Sequence, residues 1–247
     1  AAFVVRDDME GLSTLEEVLR IAFPDPVVAH VPHATDGQAV SALIGLDALE
    51  AAHGPVPGPV TFAACDTGLL AANPRAIDQI TADEMDVLVW VARGHPSAAR
   101  SPEMFGWVAE TDGVIEQVSV KAPLDDPSGD PIVTGTFTFR TAEHARASIQ
   151  RLIDSGERIN GEYYLDSCVN HALALGYRCA TLEVDHHVSW GTPNDLRTFE
   201  YWQSCFHKWH AHPYRLGGDR RVPTAAVEAL EARYASWAPV IPAASAA

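Results

Sequence analysis

Strand-like and helix-like stretches alternate through the first two-thirds of this chain, and that alternation restricts the possible folds more than any other feature. Phe3 to Arg6 is a short apolar run. Ser13-Thr14-Leu15-Glu16 then offers a capping box for a helix running to about Ala22. Val27 to Val31 reads as a second strand. Apolar residues at Val40, Leu43, Ile44, Ala48 and Ala51 have helical spacing between Gly37 and His53. A breaker-rich loop, His53 to Pro59, leads into a buried-type strand from Val60 to Cys65 that ends at Asp66. A short helix over Pro74 to Thr81 and a strand over Val87 to Val91 follow.

A β-rich middle section comes next. Phe105 to Glu110 and Val114 to Val120 flank Asp112-Gly113, a strong two-residue hairpin signal. Ile132 to Phe139 alternates Thr with apolar residues, as a half-buried strand does. Helices fit Ala142 to Asp154 and Tyr163 to Leu175, with Gly176 as a C-terminal stop. Tyr177 to Val184 is a further strand. Pro193-Asn194-Asp195 opens a helix to about Phe206, and a last helix fits Thr224 to Trp237 before an Ala/Pro-rich tail expected to fray. The pattern implies an α/β protein: a mainly parallel, doubly wound, Rossmann-like mixed sheet with helices on both faces. In such sheets ligands bind beyond the C-terminal ends of strands, so residues that follow strands are the ones to weigh.

Composition narrows the function. With 17 Lys and Arg against 33 Asp and Glu, the net charge is -16. Such a chain is repelled by nucleic acid and by anionic membranes. An anionic substrate needs a local positive site, a helix N-terminus or a metal ion. Cys65, Cys168, Cys179 and Cys205 form no CxxC pair and read as reduced thiols of a cytoplasmic protein. No apolar run approaches the roughly 20 residues of a membrane span. The N-terminus is not a signal peptide; it reads as a strand in progress with no starting Met.

Four segments could carry chemistry. Asp66, at a strand end, can hold Mg²⁺ through one oxygen, since that ion takes one or two carboxylates plus substrate phosphates. An ordinary turn or cap Asp is the other reading. In Thr35-Asp36-Gly37-Gln38-Ala39, Gly37 lets a flat ligand approach the backbone and Gln38 can bond a base edge; a plain N-cap is the other reading. In Asn160-Gly161-Glu162-Tyr163-Tyr164-Leu165-Asp166, Glu162 can accept from sugar hydroxyls or simply complement a helix dipole. Ser189-Trp190-Gly191-Thr192-Pro193-Asn194-Asp195-Leu196 is a turn entering a helix. His207, His210 and His212, and the pair His186-His187, could hold zinc through imidazoles at short spacing, but no Cys or second pair completes a recognisable pattern, and a solvated helix end is the other reading.

Taken in order, these segments resemble the nucleoside-triphosphate transferase family that makes nucleotide sugars, such as the glucose-1-phosphate thymidylyltransferases. The matching pieces are the T-x-G-Q-A turn at Thr35, the strand-end Asp66, F-G-W at Phe105, a degenerate E-K-P around Lys121, G-x-F-x-F at Gly135, N-G-E-Y-Y at Asn160 and G-T-P-x-D-L at Gly191. The resemblance covers about Phe3 to Lys208. It implies a GT-A-like fold over residues 1–210, with a C-terminal helix and tail over 211–247. It implies that Gly37 and Gln38 contact the base of a nucleoside triphosphate and that Asp66 binds Mg²⁺. Gly106, Lys121, Gly135 and Glu162 would surround a sugar-1-phosphate, with Lys121 near its phosphate. A homo-oligomer is compatible with it.

Two departures matter. The family opens with a glycine-rich phosphate loop carrying a catalytic Arg, followed by a Lys, and nothing in this chain matches them. Roughly 50 residues of the usual doubly wound half are missing, including its central strand, so an upstream segment is expected. Many members also place a second metal-binding Asp where this chain has Ser189, with Asp185 close by as a substitute. The expected activity is formation of a nucleotide sugar with release of pyrophosphate. The alternative is a catalytically inactive nucleotide-sugar-binding or regulatory module of the same fold. A related glycosyltransferase is a weaker third, because Asp66-Thr67-Gly68 lacks a D-x-D motif.

Overall fold

The computed structural model describes residues 1–70, 78–81, 85–209, 213–219, 222 and 224–237. Contacts divide the chain into two units, Ala1–Val188 and Ser189–Ala247. The helix that follows Gly191-Thr192 therefore groups with the C-terminal residues, rather than with the first unit as a division at residue 210 would have it.

The first unit runs β1 (Ala2–Arg6), α1 (Leu12–Ala22), β2 (Val27–Val31), α2 (Gln38–His53), β3 (Val60–Ala63), β4 (Thr67–Leu70), α3 (Asp78–Thr81), β5 (Val87–Ala92) and α4 (Pro96–Arg100). It continues with β6 (Gly106–Thr111), β7 (Val114–Val120), β8 (Ile132–Phe139), α5 (Ala142–Ser155), α6 (Leu165–Ala174), β9 (Cys179–Glu183) and β10 (His186–Ser189), whose last residue opens the second unit. Of the short helix expected from Pro74, only Asp78–Thr81 lies within the described residues.

The α/β class with a mixed sheet stands. β1 and β2 pair in parallel, and so do β5 and β9, while β3, β5 and β6 each pair antiparallel with β8. The large sheet runs β3-β8-β5-β9-β7-β6, and a further β6–β8 pairing at Trp107 and Ile132 closes five of its strands into a ring. More of its pairings are antiparallel than strand–helix alternation implies, because β6 and β7 form a hairpin and β8 inserts between β3 and β5. At the hairpin tip Asp112 (φ 52) and Gly113 (φ 79) are both left-handed, the geometry of a type I′ turn.

Two apolar layers cover this sheet. Val87, Val89 and Val91 of β5 meet Ala145, Ile149 and Leu152 of α5 and Cys168 and Val169 of α6 on one face. Leu88, Trp90 and Ala92 point the other way, toward Trp107, Ile132 and Leu182. β8 departs from the half-buried pattern: seven of its eight residues are buried. Two of its three buried threonines, Thr134 and Thr138, tolerate burial because their hydroxyls find partners. Thr138 bonds Thr61 at 2.9 Å and the Trp90 indole at 3.0 Å, and Thr134 donates to the Trp90 carbonyl at 2.9 Å.

Local signals fared unevenly. The capping box at Ser13 does not form. α1 starts at Leu12 with Gly11 as its cap, which puts Ser13 inside the first turn, and Glu16 pairs instead with Arg20 at 2.6 Å. The strand after Val60 stops at Ala63, because Cys65-Asp66 turns the chain into β4. β4 pairs with β10, and neither strand shows in the periodicity. Among the described residues no helix is long and apolar enough to cross a membrane.

In the second unit, α7 (Pro193–Lys208) packs against α8 (Val227–Trp237). Thr192 caps α7: its hydroxyl accepts from the Asp195 N–H at 3.1 Å and donates to the Asp195 carboxylate at 2.8 Å.

Phe137 is wholly buried in the larger core. Phe137→Ala should lower stability by about 3–5 kcal/mol, read as a lower urea midpoint with an unchanged m-value.

Candidate functional site

The turn that opens α2 is stitched to the segment that carries Glu162. The Ala39 N–H donates to the Tyr163 carbonyl at 3.0 Å, and the Tyr163 N–H donates to the Asp36 carbonyl at 2.8 Å. Arg158 donates to the Asp36 carboxylate at 2.7 Å and lies 4.2 Å from the Tyr163 ring centroid. Gly37 makes the crossing possible. At φ 120 it adopts a backbone that L side chains rarely take, and a Cβ there would meet the Tyr163 N and O atoms at 2.6 Å. The glycine thus makes room for Tyr163. Gln38 stands exposed beside it as the first residue of α2, with no side-chain hydrogen bond among the described residues.

A second close approach brings Asp66 to the edge of the large sheet. The Ala64 N–H donates to the Gly135 carbonyl at 2.9 Å, and a Cβ on Gly135 would lie 2.8 Å from the Ala64 Cβ. Two residues later Asp66 sits exposed in the turn between β3 and β4, with no side-chain partner among the described residues. Asp185 does not stand in as a second ligand. Its N–H donates to the Leu70 carbonyl at 2.9 Å, at the end of β4 away from Asp66, and four extended residues span roughly 13 Å. Among the described residues no three His, Cys, Asp or Glu side chains group to hold a metal. The donor set therefore fits Mg²⁺ only as an ion shared between Asp66 and substrate phosphates.

The third cluster gathers Gly106, Lys121, Tyr164 and Asp166. Gly106 begins β6, and a Cβ there would lie 2.1 Å from the Asp166 Oδ2 and 3.2 Å from the Val133 Cγ2. The carboxylate occupies the space where a side chain would be. Lys121 follows β7 in the left-handed region (φ 60). Its N–H donates to the Phe105 carbonyl at 3.1 Å, its Nζ donates to the Met104 carbonyl at 2.5 Å, and the Nζ lies 5.8 Å from the Tyr164 ring centroid. Burial pushes the Asp166 carboxyl up to about 6, opposed by the charge of Lys121. Burial and the neighbouring Glu162 carboxylate raise Tyr164 as well. Glu162 itself is exposed, held by paired backbone hydrogen bonds of 3.0 Å with Ile159.

The structure joins most of the sequence candidates through a few contacts. Gly37 and Gln38 are tied to the Glu162 segment, and that segment leads into α6, whose Asp166 packs on Gly106 beside Lys121. Gly135 is tied to the chain just ahead of Asp66, and its neighbour Val133 reaches Gly106. The three glycines expected at a ligand surface are all places where one part of the chain passes close to another. Asp166 and Tyr164 were missed as site residues. Their signal was present, since Asp166 falls four residues after Glu162, within the first turn of a helix.

Two outcomes follow from this geometry. Gly37→Ala should cost on the order of 1–3 kcal/mol in urea unfolding, because both its φ and its contact with Tyr163 are disturbed. For Asp166, a folded pKa above the unfolded value means that stability falls as pH rises from about 4 through 6 and stays lower beyond. Asp166→Asn should therefore be more stable than wild type at pH 7.5, by on the order of 2 kcal/mol, and no more stable near pH 4.

At the level of sequence, no family model and no curated protein matches the chain. Solved structures do. A nucleoside-diphosphate-sugar pyrophosphorylase of Vibrio cholerae superposes with a TM-score of 0.63 at 19% identity, covering 80% of this chain and 79% of that one. A protein described as a glucose-1-phosphate thymidylyltransferase of Bacillus anthracis gives 0.60 at 14% identity, over 80% and 73% of the two chains. The inositol-1-phosphate CTP transferase of T. maritima gives 0.56 at 16% identity, over 78% and 70%. This chain has the fold shared by these sugar nucleotidyltransferases.

Proposed function

We propose that the chain is a nucleotidyltransferase that joins a sugar-1-phosphate to a nucleoside triphosphate and releases pyrophosphate. The observation that carries this reading is the gathering of Gly37, Gln38, Gly106, Lys121, Glu162 and Asp166 along connected segments, with Asp66 exposed in the turn after β3, two residues past the Ala64 that bonds Gly135. The fold shared with sugar nucleotidyltransferases supports it.

In the proposed reaction an oxygen of the sugar phosphate attacks the α-phosphorus. A new P–O bond forms, the bond to the β-phosphate oxygen breaks, and pyrophosphate leaves with that electron pair. The protein's part is positioning and charge neutralisation. Lys121 turns from the Met104 carbonyl to the sugar phosphate. Gln38 bonds the base edge, and Glu162 accepts hydrogen bonds from sugar hydroxyls. Asp66 holds Mg²⁺, which when bound neutralises phosphate charge. A chain of net charge -16 needs such local cations to receive two anionic substrates. Neither nucleic acid nor a membrane belongs to this reading, and the four free thiols fit a cytoplasmic setting.

One observation favours a second reading. Asp66 belongs to no group of three metal-ligating side chains among the described residues, as in a binding module that holds a nucleotide sugar without turning it over. The two are separated by measuring pyrophosphate from a panel of sugar-1-phosphates and nucleoside triphosphates with Mg²⁺. Turnover is expected, with Asp66→Asn at least about 100-fold slower. No release across the panel, or an Asp66→Asn variant as fast as wild type, would sink the enzymatic reading. Calorimetric binding of a nucleotide sugar without turnover would select the module.

A further inference from the structure

The pair His186-His187 divides at β10. His186 is exposed, and His187, one residue on and so on the other face of the strand, turns inward. Both ring nitrogens of His187 are buried, and neither has a hydrogen-bond partner among the described residues. Its ring centroid lies 5.0 Å from that of His95, which in turn lies 5.8 Å from that of Phe105. The Phe105 carbonyl accepts the Lys121 N–H, so the two histidines adjoin the third cluster of the candidate site.

Burial, and then the neighbouring His95, push His187 down to about 4, so its imidazole is neutral at physiological pH. A neutral imidazole carries one N–H donor and one bare nitrogen acceptor. Leaving both without partners destabilises the fold, and such groups in a native protein call for an explanation. The explanation lies in what the ring borders. A cleft of about 530 Å³ opens past the C-terminal ends of the parallel strands β5 and β9, lined by Arg93, His95, Glu183, Asp185, His186 and His187. Ligands of parallel sheets bind at such ends, and small-molecule sites measure roughly 300–1,000 Å³.

The lining selects the ligand. Arg93 is engaged: its Nη1 donates to the Gly129 carbonyl at 3.0 Å, its Nε to Glu183 at 3.4 Å and its Nη2 to Glu110. Glu183 and Asp185 stand exposed at the rim. Two carboxylates beside a neutral imidazole disfavour an anion, and among the described residues no three metal-ligating side chains group there. Hydroxyl groups suit the lining, because each both donates and accepts. They match the two sides of the imidazole, and the rim carboxylates accept further bonds from them.

We propose that this cleft binds a neutral sugar ring, whose hydroxyls bond the two nitrogens of His187 and the rim carboxylates. A small rotation of the imidazole about its Cβ–Cγ bond brings its nitrogens to the cleft. Two sources share this chemistry. One is the sugar of the proposed sugar-1-phosphate, with its phosphate toward Lys121, which rests on the nucleotidyltransferase reading. The other is a free sugar.

Calorimetry on the whole chain at neutral pH, with free hexoses and their 1-phosphates as probes and no nucleotide present, tests this apart from turnover. At least one hexose, free or phosphorylated, should bind, and the matching hexuronate at least about tenfold more weakly, since its carboxylate meets Glu183 and Asp185. His187→Phe keeps a ring and removes both nitrogens. It should bind at least about tenfold more weakly, while its urea midpoint stays level or rises. In side-chain nitrogen NMR of wild type, both His187 resonances should shift on binding. Displacement of the free hexose by its 1-phosphate assigns the cleft to the substrate's sugar, and simultaneous binding assigns it to a free sugar. The proposal is overturned if no probe binds, if the hexuronate binds as tightly, or if the His187 resonances stay in place. It is equally overturned if His187→Phe binds like wild type, or if its urea midpoint falls, which would make His187 a structural residue. None of these readouts uses pyrophosphate release, so a failed transferase assay and a failed sugar titration remain distinct results.

Discussion

The hydrogen-bonded position of β8 is the constraint on which the first unit depends. That strand pairs with β3 on one side and β5 on the other, and touches β6 at Trp107. It is buried along nearly its whole length, so every polar group it carries needs an internal partner. The threonine hydroxyls meet Thr61 and the two ends of Trp90, and the Gly135 carbonyl meets Ala64. A residue with a side chain at 135 would push against Ala64 and displace the turn that presents Asp66. Core packing and site geometry are thus coupled through one strand.

The same economy governs the rest of the candidate site. Gly37 yields its side-chain volume to the Tyr163 backbone, and Gly106 yields its volume to the Asp166 carboxylate. Neither glycine was expected to serve another part of the chain. Their residue type announced a close approach, and the approaching group turned out to be protein. Asp166 gains its raised pKa from this packing, because the carboxylate that fills the gap at Gly106 is partly shielded from water while Lys121 only partly compensates.

The second unit obeys different physics. Its described residues are mostly helical, its charge is nearly balanced, and its helix α7 carries rings on more than one side. One side meets α8 through a hydroxyl, an ion pair and a ring contact.

Elements whose causes lie within a few residues were legible in the sequence. The Asp112-Gly113 turn, the start of α7 at Pro193, the helices at α2, α5 and α6 and the strand at β8 depend on local φ preferences and apolar spacing, and they appear within a few residues of where the pattern puts them. The α/β class follows from their alternation. Pairing partners and burial were not legible. β4 and β10 are four-residue strands with no periodicity of their own, and they exist because each supplies the other's backbone partner across more than a hundred residues. Gly11 displaced the capping box at Ser13 for a related reason: the start of a helix is set by where the chain arrives from, as well as by which side chains could cap it. The motifs named most of the candidate residues. Which of them touch, and that three glycines make room for protein groups, depended on contacts between segments far apart in the chain, which side-chain type alone does not encode.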